Sequence, residues 1–188
     1  IMPFIKEAAE ECGSTLENFG PFLFGHPFKI RDCMMEAHVK SVPIIKSILN
    51  NNQPVGVTLS IMDYQAAEGG EKVRDQAYAE SVDCCLDQVT NDDFVGVQMY
   101  TRHTYGPDGI IKPKADDPNM LVMGYEYYPE SLENVVRYVS SKVKTPIMIT
   151  ENGIGTDDDN QRIEYLTTAL QGLQKCLDDG IDLSLIHI

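Results

Sequence analysis

Three short runs constrain this chain more than anything else in it: PVGVTLS at residues 54–60, FVGVQMY at 94–100 and PIMIT at 146–150. Each is β-branched or otherwise apolar along most of its length, as a strand buried on both faces is. Helical patterns separate them. Ahead of the first run, Ile30, Met34, Ala37, Ser41, Ile45 and Ile48 recur at three-to-four spacing, in a helix that Pro43 is expected to kink or interrupt. Residues 72–90 look helical, and Leu132, Val135, Val136, Val139 and Val143 lie on one stripe of another helix. A last helix, from about 159 to 179, carries an apolar seam of Ile163, Leu166, Leu170, Leu173 and Leu177. Acidic residues precede it and Gly180 comes just after, as helix ends favour. "IDL" at 181–183 then opens another strand. Strands that alternate with helices require crossovers, and crossovers make parallel sheets.

The remainder reads as connection. Residues 1–29 are rich in breakers around a short helical run at Phe4–Cys12, and Asn50-Asn51-Asn52 is a break. A long loop after residue 100 carries Pro107-Asp108-Gly109 and Asp116-Asp117-Pro118. Two α/β architectures fit this order, a doubly wound sheet and a (β/α)8 barrel. No Gly-x-Gly-x-x-Gly comes after any strand and no phosphate-binding Gly-x-x-x-x-Gly-Lys loop is present, which favours the barrel. Three strands and the start of a fourth make part of one.

Composition narrows the partners. A net charge of −14 argues against nucleic acid, whose phosphates need a basic surface, and against anionic membranes. No stretch approaches the roughly 20 apolar residues of a membrane span. The five cysteines, Cys12, Cys33, Cys84, Cys85 and Cys176, are scattered and odd in number, and none has zinc-ligand spacing. The four histidines stand far apart. Reduced thiols, a cytoplasmic location and no bound metal are expected.

Chemistry enters at the end of the third run. In PIMITENGIGTDDD, residues 146–159, a buried strand closes on the bare carboxylate of Glu151. A charge there is costly unless something pairs with it or uses it. In a (β/α)8 barrel the active site gathers at the carboxyl ends of the strands. Tyr100 closes the second run just as Glu151 closes the third. A carboxylate and a phenol on nearby strand ends suit cleavage of a glycosidic bond, where the carboxylate attacks the anomeric carbon. A second carboxylic acid, about 5–5.5 Å away, protonates the leaving oxygen and later activates water.

Residues 146–183 resemble the nucleophile-bearing segment of glycoside hydrolase family 1, the β-glucosidase group. The family's Ile/Val-Thr-Glu-Asn-Gly stands here as Ile149-Thr150-Glu151-Asn152-Gly153, and its subsequent Asp, Arg and Tyr-Leu as Asp159, Arg162 and Tyr165-Leu166. DDFVGVQMYTR is similar to the family's Asp-Phe-x-Gly-x-Asn-Tyr-Tyr strand, and MGYEYYPESL to its Gly-Trp-Glu-x-Tyr-Pro-x-Gly-Leu. The resemblance covers about 30–183 and is strong from 92 onward. It implies Glu151 as nucleophile and Tyr100 as its hydrogen-bonding partner. It places Gln98 by the sugar, where the family has asparagine, and Tyr125 at the cleft rim in place of tryptophan. His38 and His103 are read as structural. The implied fold is roughly strands five to seven of the barrel, and the implied activity a retaining β-glycosidase, most simply a β-glucosidase, acting on a β-glycoside with no cofactor.

Departures bear on activity. The family's acid/base glutamate lies in Asn-Glu-Pro at the end of strand four, and no such motif occurs here. The family pattern expects it just ahead of "IMPFI". The family's later Glu-Trp pair is absent, residues 184–188 do not continue the pattern, and the chain has no tryptophan. Residues 1–183 are therefore expected to be an incomplete glycosidase domain, a C-terminal-half fragment inactive on its own. The alternatives are a noncatalytic carbohydrate-binding or interaction module on the same scaffold, or a glycosidase of a related barrel family.

Overall fold

The computed structural model describes residues 2–15, 19, 27–49, 53–114 and 116–185. The breakers Gly20, Pro21 and Gly25, the Asn50-Asn51-Asn52 break and residues 186–188 lie outside these. The chain begins with α1 (Met2–Glu11) and α2 (Pro27–Ile48), then β1 (Gly56–Ser60) and β2 (Asp63–Ala66). A helical run comes next as α3 (Glu71–Tyr78), a π-helical turn (Ala79–Asp83) and α4 (Cys84–Leu86). After it stand β3 (Phe94–Met99), β4 (Arg102–Gly106) and β5 (Gly109–Ile111). The order closes with α5 (Ser131–Lys142), β6 (Ile147–Asn152), α6 (Asp159–Asp178) and β7 (Leu183–Leu185).

The main sheet has the order β1-β3-β6-β7, with every neighbouring pair parallel. The three apolar runs are thus adjacent and parallel, and the incipient strand takes the next place. The strand residues Val95, Val97, Met99, Ile147 and Ile149 share one buried cluster with helix residues. These include Tyr78 and Val82, then Leu132, Val135, Val136 and Val139 of α5, then Tyr165, Leu173 and Cys176 of α6. All of that packing lies on one face. The alternate residues Thr58, Ser60, Gln98 and Ser184 remain exposed or half-exposed. A doubly wound sheet would carry helices on both faces, whereas a barrel wall carries them only outside.

Gly96 sits on the inner face where neighbouring strands crowd. A Cβ there would lie 2.6 Å from Thr58 Oγ1 and 2.9 Å from Thr150 Cγ2, so only glycine fits.

Three expectations need correction. The loop after residue 100 holds a second sheet, in which β2 pairs with β4 in parallel and β4 with β5 antiparallel. β2 and β4 continue the paths of β1 and β3 after two-residue breaks, and the Pro107-Asp108 pair is the turn of the β4–β5 hairpin. Pro43 does not interrupt α2, which runs through it.

Two helices also bury faces other than the expected ones. In α2 the buried residues are Met35 and Val42, while Met34, Ile45 and Ile48 are exposed. His38 and Lys46 turn inward to Asp92 and Asp93, at 2.8 and 2.7 Å. In α6 the buried side is Tyr165, Ala169, Gly172, Leu173 and Cys176. Ile163, Leu166, Leu170 and Leu177, four of the five seam residues, face outward. Small residues let α6 approach α5 closely: a Cβ on Gly172 would come within 2.8 Å of Glu133 Cβ. The outward apolar stripes belong to the helices that flank the two ends of the sheet. We expect the isolated 188-residue chain to bind a hydrophobic dye strongly or to self-associate, since apolar patches of this kind demand cover. A sharp monomeric melt with no dye binding would contradict it.

Candidate active site

Glu151 lies at the carboxyl end of β6 and owes its orientation to an irregularity. Strict alternation from the buried Ile147 and Ile149 would turn Glu151 toward the helices. The β3–β6 register instead runs Val97↔Ile149 and then Gln98↔Glu151, so Thr150 is left without a partner. One extra residue on one strand is a β-bulge, and it re-aims the side chains beyond it. Glu151 therefore joins Gln98 on the inner face, while Asn152 pairs with Met99 and turns toward α6. The buried Thr150 Oγ1 has no hydrogen-bond partner among the described residues.

Four residues singled out from sequence meet here. Gln98 Nε2 donates to Glu151 Oε1 at 2.6 Å, and the Tyr100 hydroxyl donates to the other carboxylate oxygen. The Tyr100 and Tyr125 rings stack with centroids 6.0 Å apart and 19° between planes. Beside them opens a cleft of ≈470 Å³ lined by Tyr100, Met123, Tyr125, Gly153, Ile154 and Gly155. That volume is in the range of small-molecule sites. Each oxygen of Glu151 thus has one donor and keeps lone-pair capacity. Glu151 itself remains exposed to the open inner face.

The histidines stand apart from this group. His38 is bound to Asp92, which also accepts the Val57 N–H, at the opposite end of the sheet. His103 on β4 stacks on Tyr64 at 6.1 Å, and burial holds its pKa below the ordinary value.

Residues with no assigned role in the sequence support the site from below. Asn152 Nδ2 donates to the Met99 carbonyl at 2.8 Å and to the Tyr165 hydroxyl at 3.1 Å. The ring of Tyr165 is fully buried. Asn152 and Tyr165 therefore tie the ends of β3 and β6 to the first turns of α6. The helix is capped by Asp158, whose side chain accepts the Asn160 N–H at 2.9 Å. Asn152 and Tyr165 both stand in the family motif, so the signal is present in sequence, but nothing local joins them.

A parallel sheet whose described helices pack on one face, with a carboxylate at its carboxyl edge held by two donors, is the layout of a β/α-barrel enzyme site. Residues 90–186 match the sequence model of Glycosyl hydrolase family 1, and the chain belongs to that family. It is 25% identical over 183 residues to a β-galactosidase of Sulfolobus acidocaldarius, covering 79% of this chain and 36% of that one. The crystal structure of β-glycosidase BGL167 superposes with a TM-score of 0.83 at 36% identity, covering 97% of this chain and 44% of that one. The apo structure of a β-glucosidase, 1317, also gives 0.83, at 29% identity over 99% of this chain and 45% of its own. The fold is a partial (β/α)8 barrel, and the chain spans less than half the length of each of these relatives. Among the described residues no helix is long and apolar enough to cross a membrane.

Proposed function

We propose that this chain is the nucleophile-bearing part of a retaining β-glycosidase, in the simplest case a β-glucosidase. The observation that carries the reading is the Glu151 carboxylate at a strand end, held between the Gln98 amide and the Tyr100 phenol. Two donors on the two oxygens fix the aim of the carboxylate.

In the proposed reaction a Glu151 oxygen attacks the anomeric carbon and the glycosidic bond breaks as a proton reaches the leaving oxygen. The product is a glycosyl ester on Glu151. Water then attacks the same carbon from the opposite face and the ester bond breaks, regenerating the carboxylate. As charge leaves Glu151, its hydrogen bonds weaken and those to the sugar gain. In this reading Gln98 turns its amide toward a sugar hydroxyl, and the Tyr100–Tyr125 stack forms the wall beside the cleft. The proton donor, a second carboxylic acid, is assigned to a part of the enzyme outside these residues. No cofactor enters, because two carboxyl groups suffice. Residues 1–183 are accordingly an incomplete unit, inactive without that partner carboxyl.

Stereochemistry tests the reading. When hydrolysis of an aryl β-glucoside by the complete enzyme is monitored by NMR, β-glucose should appear first, with the α anomer arising only by mutarotation. Initial release of α-glucose would mean a single displacement and would remove Glu151 from the nucleophile's role.

A further inference from the structure

Tyr125, the outer ring of the stack, sits on a small exposed hairpin spanning 119–127. Its ladder consists of Tyr127 N–H to the Asn119 carbonyl and Leu121 N–H to the Tyr125 carbonyl, each 2.8 Å. Gly124 makes the turn with a left-handed φ of +75°. The tip is bare: Val122 is 83% and Met123 66% exposed. By itself such a hairpin is too small to hold its shape in water.

What anchors the hairpin is the residue after Tyr125. Glu126 accepts two hydrogen bonds from the Arg102 guanidinium, from Nε at 2.9 Å and from Nη2 at 2.5 Å. A paired fork of this kind fixes angle as well as distance. Arg102 is itself constrained, donating to Gln65 Oε1 at 3.1 Å and lying 3.8 Å above the Tyr128 ring. The Glu126 backbone is also tied to the buried Thr101, whose hydroxyl donates to its carbonyl and accepts its N–H, both at 3.0 Å. Thr101 and Arg102 come directly after Tyr100, as Glu126 comes directly after Tyr125. The two ends of the stack are therefore clamped to each other one and two residues behind the rings. The pair is about three-quarters buried, so solvent screens it less than a surface pair.

We infer that Arg102 and Glu126 are positioning residues that hold Tyr125 against Tyr100 and so set the affinity for an aromatic or sugar leaving group. The inference rests on the glycosidase reading of the same site. Neither residue contacts Glu151. Their effect should be confined to substrates whose leaving group reaches Tyr125.

Two substrates separate this from a purely structural role. An aryl β-glucoside presents a ring to Tyr125, whereas β-glucosyl fluoride leaves a single atom. Arg102→Met in the complete enzyme should raise KM for the aryl glucoside about tenfold, the scale of losing one aromatic contact. Values of kcat for both substrates, and KM for the fluoride, should stay within about twofold of the parent. The double exchange Arg102→Glu with Glu126→Arg should recover most of the loss. Equal losses on both substrates, or none on either, would overturn the proposal. Should Arg102→Met fail to fold, Glu126→Gln keeps the shape and tests the same split.

One further measurement needs no turnover. In the complete enzyme, a fluorescent amino acid placed at position 125 by stop-codon suppression is a single reporter at the stack. Adding Arg102→Met to it should lower the fluorescence anisotropy of that residue, and unchanged anisotropy would overturn the clamp. Absence of hydrolysis by the parent enzyme on both substrates would instead count against the glycosidase reading, leaving the anisotropy result to decide the clamp.

Discussion

Replacing Glu151 by glycine in the complete enzyme is expected to abolish hydrolysis of an aryl β-glucoside, a loss on the order of 10⁵-fold or more, as removal of a covalent nucleophile produces. The deletion leaves a space between the Gln98 amide and the Tyr100 phenol, both of which donated to the missing carboxylate. A small anion such as azide should occupy it and attack the anomeric carbon directly. Only one displacement then takes place, so the product is the α-glycosyl azide, inverted relative to substrate. Removal of the acid/base carboxyl would give the β-azide instead, through the intact ester. Tyr100→Phe should cost about a hundredfold, the scale of one electrostatic donor in a site. Near-parental turnover in the glycine variant, or rescue to the β-azide, would exclude Glu151 as nucleophile.

The second large effect is on stability. Tyr165 is fully buried, accepts a hydrogen bond from Asn152 and meets the edge of the Tyr127 ring at 5.9 Å. Truncation to alanine empties a large volume beneath the ends of β3 and β6, and should cost about 3–5 kcal/mol. It should also lower activity, because Asn152 loses one of the two groups that hold the chain beside Glu151. Tyr165→Phe keeps the ring and leaves Asn152 its bond to Met99, so it should cost only about 1 kcal/mol. Urea unfolding of both variants in the complete enzyme measures the difference. An alanine variant within about 1 kcal/mol of the parent would show that the ring is not what secures these strand ends.

Much of this layout is legible in the residues, for reasons that differ by element. Strands buried on one face and crowded on the other announce themselves by β-branched density, and β1, β3 and β6 do. The α5 stripe is plain because Leu132, Val135, Val136 and Val139 face the sheet with no competing apolar side. α2 and α6 mislead because helices at the ends of the sheet carry two kinds of face. On α6 the large aliphatic residues point outward, while the inner side is made largely of Tyr165, Ala169, Gly172 and Cys176, which a search for leucine and isoleucine passes over. On α2 the inward positions include His38 and Lys46, polar residues whose partners, Asp92 and Asp93, lie far along the chain.

The second sheet is hidden for a related reason. Asp63–Ala66 and Arg102–Gly106 are polar and short, and they form strands because β1 and β3 feed them into register. Asp63 is buried there, its pKa raised by burial while hydrogen bonds from Asn134 and Gln65 oppose the rise. Within the site, Glu151 and Tyr100 can be read from their places at strand ends. The clamp between Arg102 and Glu126 cannot, because no periodicity links residues 24 apart across a hairpin.

The bulge at Thr150 makes the placement of the carboxylate a matter of parity. A strand sorts its side chains by odd and even position, and Glu151 shares its parity with Ile147 and Ile149, which are buried under the helices. One uncounted residue reverses the sorting for everything downstream. Side-chain substitutions along β6 leave that count intact, so they alter the site by degrees. A single inserted residue between Ile149 and Glu151 that joined the ladder would act differently, sending a full negative charge into the apolar layer beneath. Tolerance in this strand is thus asymmetric: identity can drift, but number cannot.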